Sequence, residues 1–347
     1  MIRIILGVIV TLIVSTGSGL CSDPQEVDTL LRQARSGDTR AMCDLGVRYY
    51  KGDGVLKDPF KAKCWVKKAH DLGDRRAEKI WKKYELWTYS GKCNLEFDDR
   101  PASEYRSGDR YTDPVTGMTM IWIPGRCFKM GCEKNEKEDC GKNEPEPRRI
   151  CPDGFWMGQY EVTQKAWLTL MDRNPSRFTG DELPVEQVSF YDVREFIRRL
   201  NRETGLRYAL PTEAQWEFAC RNRGRRAVYP WGMEDFQPDA NCSGCDAGSF
   251  RGRTAPVGSF EPNPAGIYDM GGNVREWCRD TYDRSDLKKG KQDGKRRKKK
   301  SKNPSRVVRG GSFVDPVSRS RCRARSDSLP GMTSYFTGFR LVLEDLE

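Results

Sequence analysis

Cysteine content constrains this chain more than any other feature. Thirteen cysteines among 347 residues are many for a reducing compartment and typical of proteins that fold where disulfides form. Twelve remain without Cys21, and an even number suits complete pairing. The chain also has a single histidine, His70, which nearly excludes histidine metal sites, Ser-His-Asp triads and Cys-His dyads. We therefore predict an exported, disulfide-bonded protein without histidine chemistry.

Residues 1–22 have the organisation of a signal peptide. Arg3 supplies a short positive region, residues 4–14 are apolar, and residues 15–19 are mostly small. The apolar run is too short to span a bilayer comfortably, so no transmembrane segment is expected after signal removal. Leu20 is a poor fit to the small residue that lipoprotein cleavage requires, which disfavours lipidation at Cys21. We expect a periplasmic or secreted protein.

The net charge of +11 comes mostly from one segment. Residues 288–302 contain ten lysines and arginines and one aspartate, which leaves a net charge of only +2 for all other residues. Glycines interrupt this run and no aromatic residue does, a pattern typical of a solvated surface insertion. Docking to an acidic envelope surface is the functional alternative. Nucleic acid is not an expected partner of an exported protein.

Residues 23–95 have a helical pattern. Asp58 followed by Pro59 is a helix start signal, and Gly52 and Gly54 break the preceding helix. Residues 41–78, AMCDLGVRYYKGDGVLKDPFKAKCWVKKAHDLGDRRAE, resemble a Sel-one-like repeat, a helical hairpin related to tetratricopeptide repeats. Such hairpins usually stack in arrays, so a single one is expected to pack on flanking helices or on the next domain. Partner binding and a structural spacer role both remain open.

Residues 113–347 have the texture of an α+β domain with short strands and Gly/Pro-rich turns. Thr163, Ser189 and Thr212 can each cap a helix, and Gly205 can end the second one. Ten short motifs then follow one another in order: IPG at 123–125, GFWMG at 154–158, YEVT at 160–163, LPTEAQWE at 210–217, YPWG at 229–232, TAPVG at 254–258, GIYDM at 266–270, GNVREW at 272–277, RGGSF at 309–313 and GFR at 338–340.

With these motifs, residues 118–342 resemble the formylglycine-generating enzyme, or sulfatase-modifying factor, family. The resemblance implies a C-type-lectin-like α+β fold. It also implies a copper(I) centre made by two cysteines that follow the GGS motif, which in the enzymes converts a substrate cysteine to formylglycine. Here Asp315 stands at the first position, and the segment before Cys322 is about three residues too short for the second. Carboxylates do not replace thiolates for copper(I), so no copper and no oxidase activity are expected.

The resemblance also identifies a candidate groove. Arg275 replaces the tryptophan of the family's GNxWEW motif, while Ser312 and Arg325 match groove positions and Asp315 lies beside them. A non-catalytic module that binds a peptide, protein or envelope ligand is the leading interpretation, with no catalytic residue assigned. The alternative is an active formylglycine-generating oxidase, or a related enzyme that uses other residues. Glu213 and Glu217, four apart on a helix, are expected to be structural.

Structural calcium is the cofactor that the resemblance implies. The residues of the main loop are Asp269, Met270, Gly272, Val274 and Glu276, which would supply carboxylate and carbonyl oxygens of the kind that calcium prefers. A weaker site would use Asn241 and the carbonyl of Cys242. Its family aspartate falls near Ser249.

Four disulfides are predicted. Cys220 and Cys322 match a bridge of the family. The other predicted pairs are Cys127 with Cys151, Cys132 with Cys140, and Cys242 with Cys245. The last pair lacks the context of a redox or zinc motif. Pairing of Cys43, Cys64, Cys93 and Cys278 stays open.

Overall fold

The computed structural model describes residues 24–55, 57–89, 93, 105–132, 140, 144–232, 240–283 and 304–343. The predicted signal peptide, Cys21 and the basic segment 288–302 lie outside these residues. In the part of the chain that is described, no helix combines the length and apolarity needed to cross a membrane.

Four helices form the N-terminal segment: α1 (Pro24–Arg35), α2 (Thr39–Lys51), α3 (Pro59–Asp71) and α4 (Arg75–Lys83). Asp58 caps α3 by accepting a hydrogen bond from the backbone N–H of Lys61 at 2.8 Å, and Pro59 is the first helical residue, as predicted. Gly46 allows α2 and α3 to pack closely, because a Cβ there would overlap the side chain of Val66.

The remaining elements form an α+β domain. Its helices are α5 (Gln164–Leu168), α6 (Phe190–Thr204) and α7 (Glu213–Cys220). Its strands are β1 (Arg110–Thr112), β2 (Thr119–Ile123), β3 (Phe128–Met130), β4 (Arg148–Ile150), β5 (Phe155–Gly158), β6 (Tyr208–Ala209), β7 (Arg275–Thr281), β8 (Arg306–Arg309), β9 (Ser326–Ser328), β10 (Thr337–Gly338) and β11 (Val342–Leu343). Thr163, Ser189 and Thr212 cap the three helices, as their sequence context predicts.

A central sheet of five strands, ordered β1-β2-β5-β11-β6, organises this domain. Alternate residues of β2 enter two hydrophobic cores: Met120 and Trp122 pack on the α6 side, while Ile121 and Ile123 pack on the α7 side. This alternation follows from the two-residue period of a strand. Because β1 already pairs with β2, the domain begins before residue 113, the predicted boundary.

A second sheet, ordered β10-β7-β8-β9, carries the candidate groove residues. Strand β7 begins at Arg275, and β8 ends at Arg309, immediately before the GGSF motif. Strand β10 pairs with β7 in parallel, and the other pairs of this sheet are antiparallel.

The helical segment packs against the α+β domain. Gly205 ends α6 with a φ of 69°, and a Cβ at this position would overlap the ring of Pro59 at the start of α3. Nearby, Tyr208 donates a 2.8 Å hydrogen bond to the buried carboxylate of Asp113. The hairpin is therefore packed on the next domain, one of the two arrangements that its isolation predicts.

Five disulfides are present among the described residues. All four predicted pairs are joined: Cys127–Cys151, Cys132–Cys140, Cys220–Cys322 and Cys242–Cys245. The fifth joins Cys64 to Cys93, a pair that the sequence left open. Cys43 and Cys278 are buried and unbridged. Such a set is typical of a protein exported to an oxidising compartment.

Removal of two of these bridges should have unequal effects. Cys220–Cys322 closes a separation of 102 residues, whereas Cys242–Cys245 closes only 3, and a longer loop restricts the unfolded chain more. We expect the C220A/C322A variant to lose about 2–5 kcal/mol of unfolding free energy, and C242A/C245A to lose clearly less. Urea unfolding of the two variants checks this. Equal losses would contradict the chain-entropy explanation.

Candidate binding groove

Buried ion pairs fix the strand that leads into the groove. Arg309, at the end of β8, is 1% exposed; it donates to Glu213 and Glu217 of α7, each at 2.8 Å. Arg325 also donates to Glu213, at 2.5 and 2.7 Å. The two glutamates are therefore partners in buried ion pairs. Arg325 is buried in this network, so its predicted position in the groove is wrong: a match in the alignment does not give the direction of its side chain.

The other three candidate groove residues meet in one cluster. Arg275 donates to both carboxylate oxygens of Asp315, at 2.8 and 2.5 Å. Ser312 donates its hydroxyl to the same carboxylate at 2.6 Å. Burial alone would raise the pKa of Asp315, but the hydrogen bonds from Arg275 and Ser312 outweigh it, and its pKa lies below the usual value. An ion-paired carboxylate thus occupies the position at which the resemblance places the first copper cysteine.

Cysteine sulfur near this part of the sequence is not available for copper. Cys322 is joined to Cys220. Cys278 is fully buried, and burial raises the pKa of its thiol well above the usual value, whereas the ligand and the nucleophile are the thiolate. The groups in this cluster are a carboxylate, a hydroxyl and a guanidinium. The first two are hard oxygen ligands and the third is a cation that does not bind metals, whereas copper(I) prefers soft ligands. The residues present do not fit the copper centre.

An aromatic–arginine band extends from this cluster: Arg177, Phe178, Arg253, Arg275, Phe313, Tyr335 and Phe336. The guanidinium of Arg275 lies 4.7 Å from the Phe336 ring centre, and that of Arg177 lies 4.7 Å from Tyr335. Arg253 and Arg177 each lie 5.7 Å from Phe178. Sequence reasoning identified only Arg275, because the band is assembled from distant segments and no local motif marks it.

The predicted calcium loop surrounds a buried cluster of charges. Glu276 accepts hydrogen bonds from Arg340, at 2.7 and 2.6 Å, and from Trp216 at 2.7 Å. Asp269 accepts one from the backbone of Gly258 at 2.8 Å. Glu161 accepts from the backbone N–H of Val274 at 3.0 Å and from the Asn273 side chain at 2.6 Å, and so orders the loop.

This cluster has more negative than positive charge. The three acids Glu161, Asp269 and Glu276 are buried with one arginine, Arg340. Burial, reinforced by Asp269 and Glu276, raises the pKa of Glu161 well above its usual value. With all three acids ionised, the cluster would have two more negative than positive charges; a bound divalent cation would offset them and favour the ionised forms, although both oxygens of Glu276 already accept hydrogen bonds.

The weaker predicted site contains a buried oxygen without a hydrogen-bond partner in the described structure, the side-chain oxygen of Asn241. The hydroxyl of Thr254, which was not among the predicted ligands, is also buried without a partner there. The amide nitrogen of Asn241 donates to the carbonyl of Arg253 at 2.8 Å, which orients its oxygen away from that bond. Such oxygens also fit a hard cation.

Behind the band, Glu186 is a buried acid. Its side chain accepts a 2.8 Å hydrogen bond from the backbone N–H of Phe178, and its second oxygen has no partner among the described residues. Burial raises the pKa of Glu186 to about 7. The folded protein therefore retains a proton here at a pH where the unfolded chain has lost it.

This shift predicts a pH dependence of stability. Because the pKa of Glu186 is raised on folding, protonated Glu186 contributes to the free energy of unfolding. This contribution is fully present below about pH 4.5 and is lost as the pH rises through about 7. The E186Q variant should remove that loss, so its stability relative to wild type should increase by about 1–3 kcal/mol between pH 5 and pH 8. Thermal unfolding across this range measures it. The E182Q variant, at an exposed acid, is the control; equal pH profiles for E186Q and wild type would refute the assignment.

Comparison with known proteins identifies a matching family, similar relatives and a similar solved structure. Residues 107–345 match the family described as Sulfatase-modifying factor enzyme 1-like domain. The chain is 27% identical over 247 residues to the chaperone protein LppX of Paenibacillus barcinonensis, covering 57% of this chain and 79% of that protein. It is 34% identical over 174 residues to the inactive C-alpha-formylglycine-generating enzyme 2 of Bos taurus, covering 46% and 50%. The structure of PvdO from Pseudomonas aeruginosa superposes with a TM-score of 0.59 at 26% identity, covering 69% and 99%.

Proposed function

The chain belongs to the Sulfatase-modifying factor enzyme 1-like domain family, and we propose that it is an exported, non-catalytic member that binds a peptide or envelope ligand in the groove around Arg275 and Asp315. One observation carries the proposal. The carboxylate of Asp315 stands where the resemblance places a copper thiolate, and Arg275 and Ser312 occupy both of its oxygens. A folded scaffold with no soft ligand at this position favours binding over oxidation.

The comparisons support this proposal without deciding it. One relative is named an inactive formylglycine-generating enzyme, and another is named a chaperone. The first name describes a relative without formylglycine-generating activity, and the second describes a relative with a chaperone role. We propose the same general role here, since the family fold supports more than one function.

The helical segment is proposed as a second contact surface. Its four helices and the motif string at 41–78 favour a Sel-one-like repeat, and it packs on the domain through Pro59 and Gly205. A rigid attachment of this kind holds two binding surfaces at a constant separation. The basic segment 288–302 remains, by its sequence, a proposed contact for an acidic envelope surface.

Calcium is proposed as the structural ion. Asp269 and Glu276 would supply carboxylate oxygens, and the carbonyls of Met270, Gly272 and Val274 would complete the loop. The buried surplus of negative charge supports this, because an uncompensated buried charge is costly. The partnerless oxygen of Asn241, with the carbonyl of Cys242, supports a second ion.

A direct assay tests the absence of oxidase activity. The purified protein is incubated with copper(I), oxygen and a peptide containing Cys-x-Pro-x-Arg, and the peptide is analysed by mass spectrometry. We expect the cysteine to remain unchanged, because no thiolate pair is available to bind copper(I). An active family enzyme under the same conditions is the positive control. Formylglycine formed by this protein would overturn the proposed function.

Calcium binding is tested by thermal unfolding in EDTA and in excess calcium chloride. A ligand that binds only the folded state at about 100 times its dissociation constant adds about 2.7 kcal/mol, so we expect the melting temperature to rise by several degrees. The D269N variant should lose the part of this rise that comes from the main loop, because it lacks the carboxylate charge, and any remaining rise would come from the proposed second ion at Asn241. The exposed control D327N should retain it. No rise with the wild-type protein would refute the site.

A further inference from the structure

The charge of the groove points to the chemical class of its ligand. Resting on the proposed function, we infer that the aromatic–arginine band binds an acidic peptide segment, one that alternates carboxylate and apolar side chains. The inference follows from three properties of the band: its excess of positive charge, the orientation of its guanidinium groups, and the exposed apolar side chains that lie close to it in sequence.

The positive charge of the band is only partly offset by the protein, since the buried acid Glu186 interacts electrostatically with Arg177. Arg275 is neutralised by Asp315. Arg177 and Arg253 are exposed, and within the described residues neither is joined to a carboxylate by a salt bridge. Arg319 is also exposed, and it lies close enough to Asp315 to help lower the pKa of that carboxyl. The surface around the cluster therefore has an excess of positive charge, which attracts acidic ligands and repels basic ones.

The guanidinium groups are held in place by aromatic rings. Arg177 lies over Tyr335 and Phe178, and Arg253 lies over Phe178 from a different segment. A guanidinium above a ring gains cation–π attraction and retains N–H donors at its edge. Those donors suit a carboxylate, which can accept two of them side by side. The side chains are thus already ordered before a ligand binds, which lowers the entropic cost of binding.

The rings themselves are positioned by the core. Phe313, which is 3% exposed, lies 5.7 Å from Phe178 and 6.1 Å from Tyr335, measured between ring centres. Tyr335 in turn lies 5.2 Å from Phe336. Because Phe313 belongs to the GGSF motif, the band is connected directly to the segment that carries Asp315.

Exposed apolar side chains lie close in sequence to the band and favour a peptide over an acidic polysaccharide. Val314 precedes Asp315 and is 40% exposed, while Leu329 and Met332 are 52% and 56% exposed. Aliphatic and thioether groups contact apolar side chains well, and peptides supply such side chains. A polysaccharide would satisfy the arginines but leave these groups in water.

The loop that carries Leu329 and Met332 is anchored to the domain. The carbonyl of Pro330 accepts from the backbone N–H of Phe190 at 3.0 Å, and the carbonyl of Ser334 accepts from Gln187 at 2.9 Å. The carbonyl of Phe336 accepts from Arg275 at 2.9 Å, which connects the loop to β7. The apolar residues are therefore presented by a backbone with defined hydrogen bonds.

Fluorescence anisotropy with three labelled twelve-residue peptides tests the inference. The peptides alternate Leu and Tyr with Glu, Gln or Lys, and binding is measured at 150 mM salt with the full chain. We expect the Glu peptide to bind about tenfold or more tightly than the Gln peptide, with the Lys peptide weakest. The R177A/R253A variant should lose about tenfold in affinity for the Glu peptide, equivalent to 1.4 kcal/mol.

Two controls separate the band from the general positive charge. R148A/R149A removes two exposed arginines of β4, outside both proposed contact surfaces, and should bind the Glu peptide like wild type. Deletion of residues 288–302 should leave the effect of R177A/R253A unchanged. Circular dichroism and thermal unfolding establish that each variant is folded.

Each remaining outcome has a defined meaning. Unchanged affinity of R177A/R253A for the Glu peptide would overturn the inference. Equal binding of Glu and Gln peptides, lost in R177A/R253A, would overturn the acidic class but leave the proposed function intact. Polygalacturonate binding that depends on these arginines, without Glu-peptide binding, would replace the peptide by a polysaccharide. Formylglycine formation in the copper assay would instead refute the proposed function itself.

Discussion

The structure depends on a small number of buried arginine–glutamate pairs. Arg309 connects β8 to α7 through Glu213 and Glu217, and Arg340 connects the C-terminal strands to Glu276 of β7. Loss of one partner would leave an uncompensated charge in the interior, which typically costs about 3–5 kcal/mol. These pairs therefore specify how α7 and the second sheet pack together. They also hold Arg309 immediately before the segment that forms the groove.

This arrangement explains how the family fold persists without the family's copper ligands. The ion pairs lie behind the groove and do not involve Asp315 or Ser312, so the groove segment can change without disturbing them. At the candidate groove the side chains satisfy one another: the carboxylate of Asp315 is paired with Arg275. Without Arg275, this buried carboxylate would retain the hydrogen bond from Ser312 but would lack its ion-pair partner in the cluster. The two residues are physically coupled, although 40 positions separate them.

Features encoded within a few residues could be predicted from the sequence. Helix caps at Asp58, Ser189 and Thr212 are examples, since each cap and its partner lie three residues apart. The groove cluster could be predicted because ordered family motifs bring Arg275 and Asp315 into alignment. Arg325 could not be placed in this way, because its direction depends on the buried charge of Glu213. The Cys64–Cys93 bridge was also beyond prediction, since both residues lie in a region without a family pairing.

The band shows why binding specificity is harder to predict than fold. Its arginines come from segments separated by tens of residues, and each alone resembles an ordinary surface arginine. Only packing against Phe178, Tyr335 and Phe336 converts them into an ordered row of donors. Since the core residue Phe313 positions the rings, the same packing that stabilises the GGSF segment also sets the spacing of positive charge. Selectivity for a ligand then depends on the tertiary packing that spaces these arginines, and it cannot be predicted from the identity of any single residue.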